Sequence, residues 1–231
     1  MTQQQIHTSD IEIAINGHSV PAFQCLPSGD GPFPGVVVIQ EWWGLVDHIM
    51  DVCDRFAAEG FVALAPDLYH GESATSPDDA QKLMMALNIG KTEKDMKGAV
   101  KYLLGLDETT GETVGTVGFC MGGQLSLYAA CENPKVGACV VYYGIHPAVN
   151  PDLAKLNAPV LGFFAENDGF VTPEVARKLE SDVRAAGKQI EIHIYDGADH
   201  AFFNDTRTEA YHKDYAQDTW DRVLAHYRAH L

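Results

Sequence analysis

Short apolar runs and longer segments of helical character alternate along the chain, and their order predicts an architecture before any single residue is considered. The runs at 35–40, 61–66, 114–119, 136–143 and 159–165 are rich in valine, isoleucine and small residues and have strand length, as expected of strands buried on both faces. A further segment, 189–195, alternates apolar and polar positions as a strand with one wetter face does. Between these lie predicted helices over 47–59, 78–88, 91–105, 121–131, 173–186 and 208–228. Gly60 closes the first helix and Gly187 the fifth, at the position where glycine takes up the left-handed conformation that ends a helix. Two strands at 11–15 and 20–26, with Asn16-Gly17 between them, read as an opening hairpin. The result is an α/β fold, a mostly parallel central sheet with helices on both faces, in a single domain over 1–231. Ligands in such folds bind beyond the carboxyl ends of the strands.

Composition narrows the classes of partner. With 46% hydrophobic residues in 231, the chain can bury a large core. No apolar run is long enough to cross a bilayer. The polar start Met1-Thr2-Gln3-Gln4-Gln5 lacks the basic and apolar regions of a signal peptide. Sixteen basic against 32 acidic residues, a net charge of −16, argue against nucleic acid and anionic membrane as partners. The five cysteines, Cys25, Cys53, Cys120, Cys131 and Cys139, show no zinc spacing and no disulfide framework. Cys53, Cys131 and Cys139 fall among apolar neighbours as core thiols, and a cytoplasmic monomer or small homo-oligomer is expected. His212, His226 and His230 are expected on an exposed helix face, so no metal and no cofactor is predicted.

Chemistry concentrates in three places. In Gly118-Phe119-Cys120-Met121-Gly122-Gly123 a cysteine stands at the end of a predicted strand and before a helix, with glycine two residues to either side. In the serine version of this pattern the glycines allow the sharp, strained turn that exposes a nucleophile; the plainer alternative is a buried thiol beside a tight turn. A thiol needs a base to become a useful nucleophile, and the base needs an acceptor to fix its orientation. His200, in the loop after 189–195, can be the base. Asp168, just past the strand at 159–165, is the expected acceptor, with Asp199 as a rival whose side chain would diverge from that of its neighbour. Nucleophile, acid, histidine is the chain order of α/β-hydrolases.

On GFCMGG around Cys120, AENDGFVTP around Asp168, YDGADHAFFND around His200 and VVVIQEWWGL ending beyond Glu41, the chain resembles the dienelactone hydrolase (carboxymethylenebutenolidase) family over nearly its whole length. The resemblance implies a cysteine-dependent hydrolase of lactones or small activated esters, acting through an acyl-thioester. It also implies that Glu41 hydrogen-bonds the resting thiol and takes its proton when substrate arrives; read from the sequence alone, Glu41 is a polar residue that ends a buried strand. The oxyanion hole of the fold uses the N–H after the nucleophile and one from the loop after the early strand, here Met121 and Trp42. The family's substrate carboxylate is held by two arginines, one of them four residues beyond the histidine. Asn204 stands there instead, and the segment from Tyr69 to Gln81 has no arginine. Lys82, His70 or Arg207 are the available substitutes. Trp42, Trp43, Tyr69, Tyr143, Phe170, Phe202, Phe203 and Asn204 are the candidate substrate-binding residues, and their aromatic character fits a substrate of limited charge. His146 is a further candidate lining residue, or a solvated loop residue. Two other classes of function remain open: a binding or regulatory protein on a hydrolase scaffold, and a redox-active thiol protein.

Overall fold

The structure, a computed structural model, describes residues 5–15 and 17–231. Eight strands form one sheet: β1 (Ile6–Ile15), β2 (His18–Pro27), β3 (Phe33–Ile39), β4 (Val62–Pro66), β5 (Thr109–Phe119), β6 (Val136–Tyr142), β7 (Val160–Ala165) and β8 (Ile190–Tyr195). Their spatial order is β1-β2-β4-β3-β5-β6-β7-β8. β1 and β2 pair antiparallel, β2 lies antiparallel to β4, and every other pairing is parallel. Six helices intervene: α1 (Asp47–Ala58), α2 (Pro77–Ala86), α3 (Ile89–Leu103), α4 (Met121–Glu132), α5 (Pro173–Ala185) and α6 (Lys213–His230).

Because side chains alternate across a strand, β3 divides its residues between two cores. Val37 and Ile39 pack with Met96, Val100 and Leu125 of α3 and α4, while Val36 and Val38 pack with Val52, Phe56 and Tyr227 of α1 and α6. Burial on both faces is why the central strands read as unbroken apolar runs.

Several boundaries depart from the pattern-based expectation. β1 starts at Ile6 rather than 11, since pairing from Ile6↔Pro27 to Ile15↔His18 continues through polar residues that a period-two reading ignores. β5 starts at Thr109: its first residues pair with Phe33 and Pro34, and a register shift separates that pairing from the main ladder. α6 begins five residues later than expected, because the His212 side chain accepts the Tyr215 N–H and caps the helix there. Asn16 of the expected hairpin turn, and Met1 to Gln4 of the polar start, lie outside the described residues. Of the three histidines expected on an exposed helix face, His230 is exposed, whereas His212, the cap of α6, and His226 are half-buried, and burial lowers the His226 pKa to about 4. Among the described residues, no helix is long and apolar enough to cross a membrane.

Candidate active site

Glu41, Cys120, Asp168 and His200 follow β3, β5, β7 and β8 respectively, so the parallel strands deliver all four to one edge of the sheet. Cys120 sits at the tightest point. It has φ 53° and ψ −120° and is the residue from which α4 starts. The turn closes this sharply because Gly118 and Gly122 lack side chains: a Cβ on Gly118 would collide with the Gly122 carbonyl, and one on Gly122 with the Ile39 carbonyl. The second contact also seats α4 against the end of β3, beside Glu41. Backbone strain gathers here. Tyr143 and Ala201 also have positive φ, 38° and 68°, conformations that cost a non-glycine residue about 1–3 kcal/mol each and persist where packing over-determines them.

The Asp168 carboxylate is buried and fully engaged. Its Oδ1 accepts the N–H groups of Phe170 at 2.8 Å and Val171 at 2.9 Å, and its Oδ2 lies 2.6 Å from His200 Nδ1. Asp199 is exposed and has no part in this contact. With Nδ1 taken by Asp168, the other imidazole nitrogen, Nε2, is the one left for Cys120, which lines the same cavity as the ring. The ring is clamped between Tyr143, with centroids 4.8 Å apart, and Phe170, at 5.3 Å. Burial by itself lowers the pKa of His200, but interactions with Asp168 and Cys120 outweigh it and lift the value from 6.5 to about 10. The stability contributed by this pairing is therefore fully present below about pH 6.5 and is lost as pH rises through about 10. We expect the melting temperature of the wild type to fall more steeply between those two values than that of His200→Ala. Parallel declines in thermal scans of the two proteins would mean that the fold does not hold the imidazole in its charged form.

Glu41 is 2% exposed. Burial raises its pKa, against the opposing pull of His200, a hydrogen bond from Asn204 and the charge of Arg207. Among the described residues no hydrogen bond joins Glu41 to Cys120; the Glu41 partner is Asn204 Nδ2, at 2.9 Å. The N–H groups of Met121 and Trp42 have no hydrogen-bond acceptor among the described residues. Trp42 is held from its carbonyl side by the Tyr69 hydroxyl at 3.2 Å, which also reaches Met121 Sδ at 3.3 Å.

A cavity of about 380 Å³ opens above Cys120. Glu41, Trp42, Trp43, Cys120, Phe170, His200 and Ala201 line it together with Gln81, Met84 and Met85 of α2, Ile145, Pro147 and Arg207. Tyr69, Tyr143, Phe202 and Asn204, expected at the substrate, are not among the lining residues. They stand one layer out, where Tyr143 packs against both the imidazole and Phe202 and Asn204 turns inward to Glu41. Phe203 is core, stacked on Phe119 at 5.2 Å.

Of the three cations available to replace the family's arginines, the structure brings only Arg207 to the cavity. Lys82 is on the exposed face of α2, paired with Asp79 at 2.9 Å. His70 shares the buried Asp95 carboxylate with His18, at 2.9 and 2.6 Å. His146 is buried rather than solvated. The Ala148 N–H donates to its Nδ1, and its Nε2 lies 3.2 Å from the Met84 carbonyl, tying the loop after β6 to α2. The α2 wall escaped sequence reasoning. Its only signal was a pair of methionines at the end of a polar helix, of which Met85 remains 56% exposed. Among the described residues no group of three or more histidine, cysteine, aspartate or glutamate side chains is placed to hold a metal ion.

Sheet order, strand-end placement of the polar residues and the strained cysteine elbow define an α/β-hydrolase fold. A family model described as "Dienelactone hydrolase family" matches residues 20–231, and the chain belongs to that family. Protein usf of Aquifex pyrophilus is 37% identical over 228 residues, covering 96% of this chain and 98% of its own. A protein of Aquifex aeolicus (strain VF5) named "Putative carboxymethylenebutenolidase" is 31% identical with the same coverage, 96% and 98%. The crystal structure of a Klebsiella pneumoniae protein described as a "Putative Dienelactone Hydrolase" superposes with a TM-score of 0.88 at 31% identity, over 97% of this chain and 99% of that one.

Proposed function

We propose that this chain is a cysteine-dependent hydrolase of lactones and small activated esters, with Cys120 as nucleophile, His200 as base and Asp168 as the group that orients the imidazole. The observation that carries the reading is the 2.6 Å contact between Asp168 and His200 Nδ1, with the imidazole and Cys120 lining the same apolar cavity. The thiol proton already resides on His200 Nε2 in the resting site, since the fold favours the charged imidazole. The thiolate attacks the carbonyl carbon, and the oxyanion is met by the N–H groups of Met121 and Trp42, each worth roughly 3–4 kcal/mol when preorganised. Collapse breaks the acyl C–O bond, and the imidazolium returns its proton to the departing oxygen. In a lactone that oxygen stays tethered to the acyl group. Water then attacks the acyl-thioester as His200 accepts its proton, and Cys120 departs. The start of α4 adds the positive end of a helix dipole beside the sulfur.

A direct test is to quench a reaction with p-nitrophenyl acetate and map the acetyl group by peptide mass spectrometry. Acetyl on Cys120 is expected; turnover with acetyl on a serine, or with no trapped adduct, would defeat the mechanism.

The cavity walls support substrates of limited charge. Arg207 is the one arginine or lysine among the lining residues, and its Nε and one terminal nitrogen already bond Glu209, at 2.8 and 2.7 Å. A carboxylated substrate therefore meets a guanidinium whose Nε-side edge and part of whose charge are already shared with a carboxylate. Neutral enol-lactones and p-nitrophenyl esters are expected to have higher kcat/KM than a carboxylated dienelactone. Arg207→Gln should leave the neutral substrates within about twofold and weaken the carboxylated one by about tenfold through KM, as loss of a charged hydrogen bond does. Steady-state kinetics on the three substrates decide it, and a preference for the carboxylated compound that survives Arg207→Gln would remove this account of selectivity.

A further inference from the structure

We propose that Asn204 is a positioning residue for Glu41, holding that carboxylate by one oxygen so that it stays ionised and oriented beside Cys120; this rests on the reading of the site as catalytic. Asn204 and Glu41 are each 2% exposed and are 163 residues apart in sequence, so their contact is made only in the folded chain. What Asn204 offers depends on which end of its carboxamide faces Glu41, and its surroundings determine that. The backbone N–H of Thr206, which can only donate, lies 3.0 Å from Asn204 Oδ1, and the Thr206 hydroxyl lies 2.7 Å from the same oxygen. The oxygen is thereby committed to Thr206 and the NH2 must face Glu41 Oε2.

A buried amide donor that cannot rotate favours the charged form of the carboxylate it touches. The other groups that act on Glu41 are His200 and Arg207, both cationic and both favouring the carboxylate. The phenol of Tyr143 also faces it and is itself kept neutral by burial. Burial opposes all of them. Oε2 is the only Glu41 side-chain oxygen with a hydrogen-bond partner among the described residues. Because Asn204, Arg207 and His200 lie within eight residues of one another in the segment after β8, the Asn204 contact also ties the Glu41 loop to the loop that carries the imidazole.

The test is the pH dependence of kcat/KM for p-nitrophenyl acetate, read beside the pH dependence of Cys120 alkylation by iodoacetamide. Losing the donor in Asn204→Ala raises the proton affinity of Glu41, so the acidic limb of both profiles should move to higher pH, by about one unit for one hydrogen bond to a charged group. Asn204→Asp keeps the size of the side chain, presents an acceptor to Glu41 and should move the limb further in the same direction; it also serves if the alanine variant folds poorly. In a Glu41→Gln background neither change should move the limb. A lowered melting temperature with unmoved limbs would reduce Asn204 to a structural residue and overturn the proposal, as would a shift that persists in Glu41→Gln. A dead Cys120→Ala variant with unmoved limbs removes only the role of Asn204. An active Cys120→Ala variant whose limb still moves with Asn204 removes only the nucleophile.

Discussion

Cys120→Ala is expected to lower kcat/KM for p-nitrophenyl acetate by about four to six orders of magnitude, because removing the nucleophile leaves only oxyanion stabilisation and binding. The size follows from how the residue is held. The Cys120 side chain is 8% exposed and occupies a strained backbone position that the glycines around it make possible, so no neighbouring hydroxyl or thiol can take its place. The other four cysteines are buried; burial pushes the Cys25 and Cys53 thiols well above their ordinary range, Cys131 to about 12 and Cys139 to about 11, so none supplies a thiolate at neutral pH. Truncating sulfur to methyl leaves the elbow intact, and circular dichroism should match the wild type. Cys120→Ser should recover little, since an alcohol holds its proton far more tightly than a thiol and the imidazole is arranged for the thiol. Near-wild-type turnover by Cys120→Ala in a preparation free of host esterase would end the proposed mechanism.

Asp168→Asn is the second large effect, about 10³- to 10⁴-fold in kcat with the fold preserved. The hydrogen bonds around the residue explain why so small a change is so costly. The Phe170 and Val171 N–H groups both donate to Oδ1, so an asparagine here must present its oxygen to them and its NH2 to His200. That NH2 donates to Nδ1, which must then be unprotonated, and the imidazole proton is driven to Nε2. A ring protonated on Nε2 cannot accept from Cys120. The same substitution removes the negative charge that helps hold the imidazolium. Single-turnover kinetics should show slow acylation with little change in ester binding, and NMR of the ring nitrogens should report the reversed tautomer. A variant that acylates at the wild-type rate would leave Asp168 as a loop-closing residue.

The frame was legible in the sequence because strands buried on both faces are unbroken apolar runs and two of the helices between them, α1 and α5, are closed by glycine, Gly60 and Gly187. Cys120, Asp168 and His200 could be picked out because each follows such a run, and strand ends in a parallel sheet share an edge. Boundaries were less legible where pairing involves polar residues, as in β1, or a register shift, as at the start of β5. The choice of Asp168 over Asp199 lay partly in the sequence, as a matter of diverging neighbours, but the three contacts of the Asp168 carboxylate come from its loop geometry.

Substrate-binding residues were the least legible, since aromatic content does not say which way a ring turns. Trp42, Trp43 and Phe170 reach the cavity, while Tyr69, Tyr143 and Phe202 support it from behind. By itself, then, the sequence determined the order of strands and helices, the parallel core and the strand-end positions of four polar residues, all consequences of local periodicity and chain order. Tertiary structure alone decided that Arg207 rather than Lys82 or His70 faces the cavity, that α2 lines it, and that Asn204 bonds Glu41 across 163 positions. Those outcomes depend on which side chains remain unpaired after packing, and the partners that compete for them come from distant segments that only folding brings together.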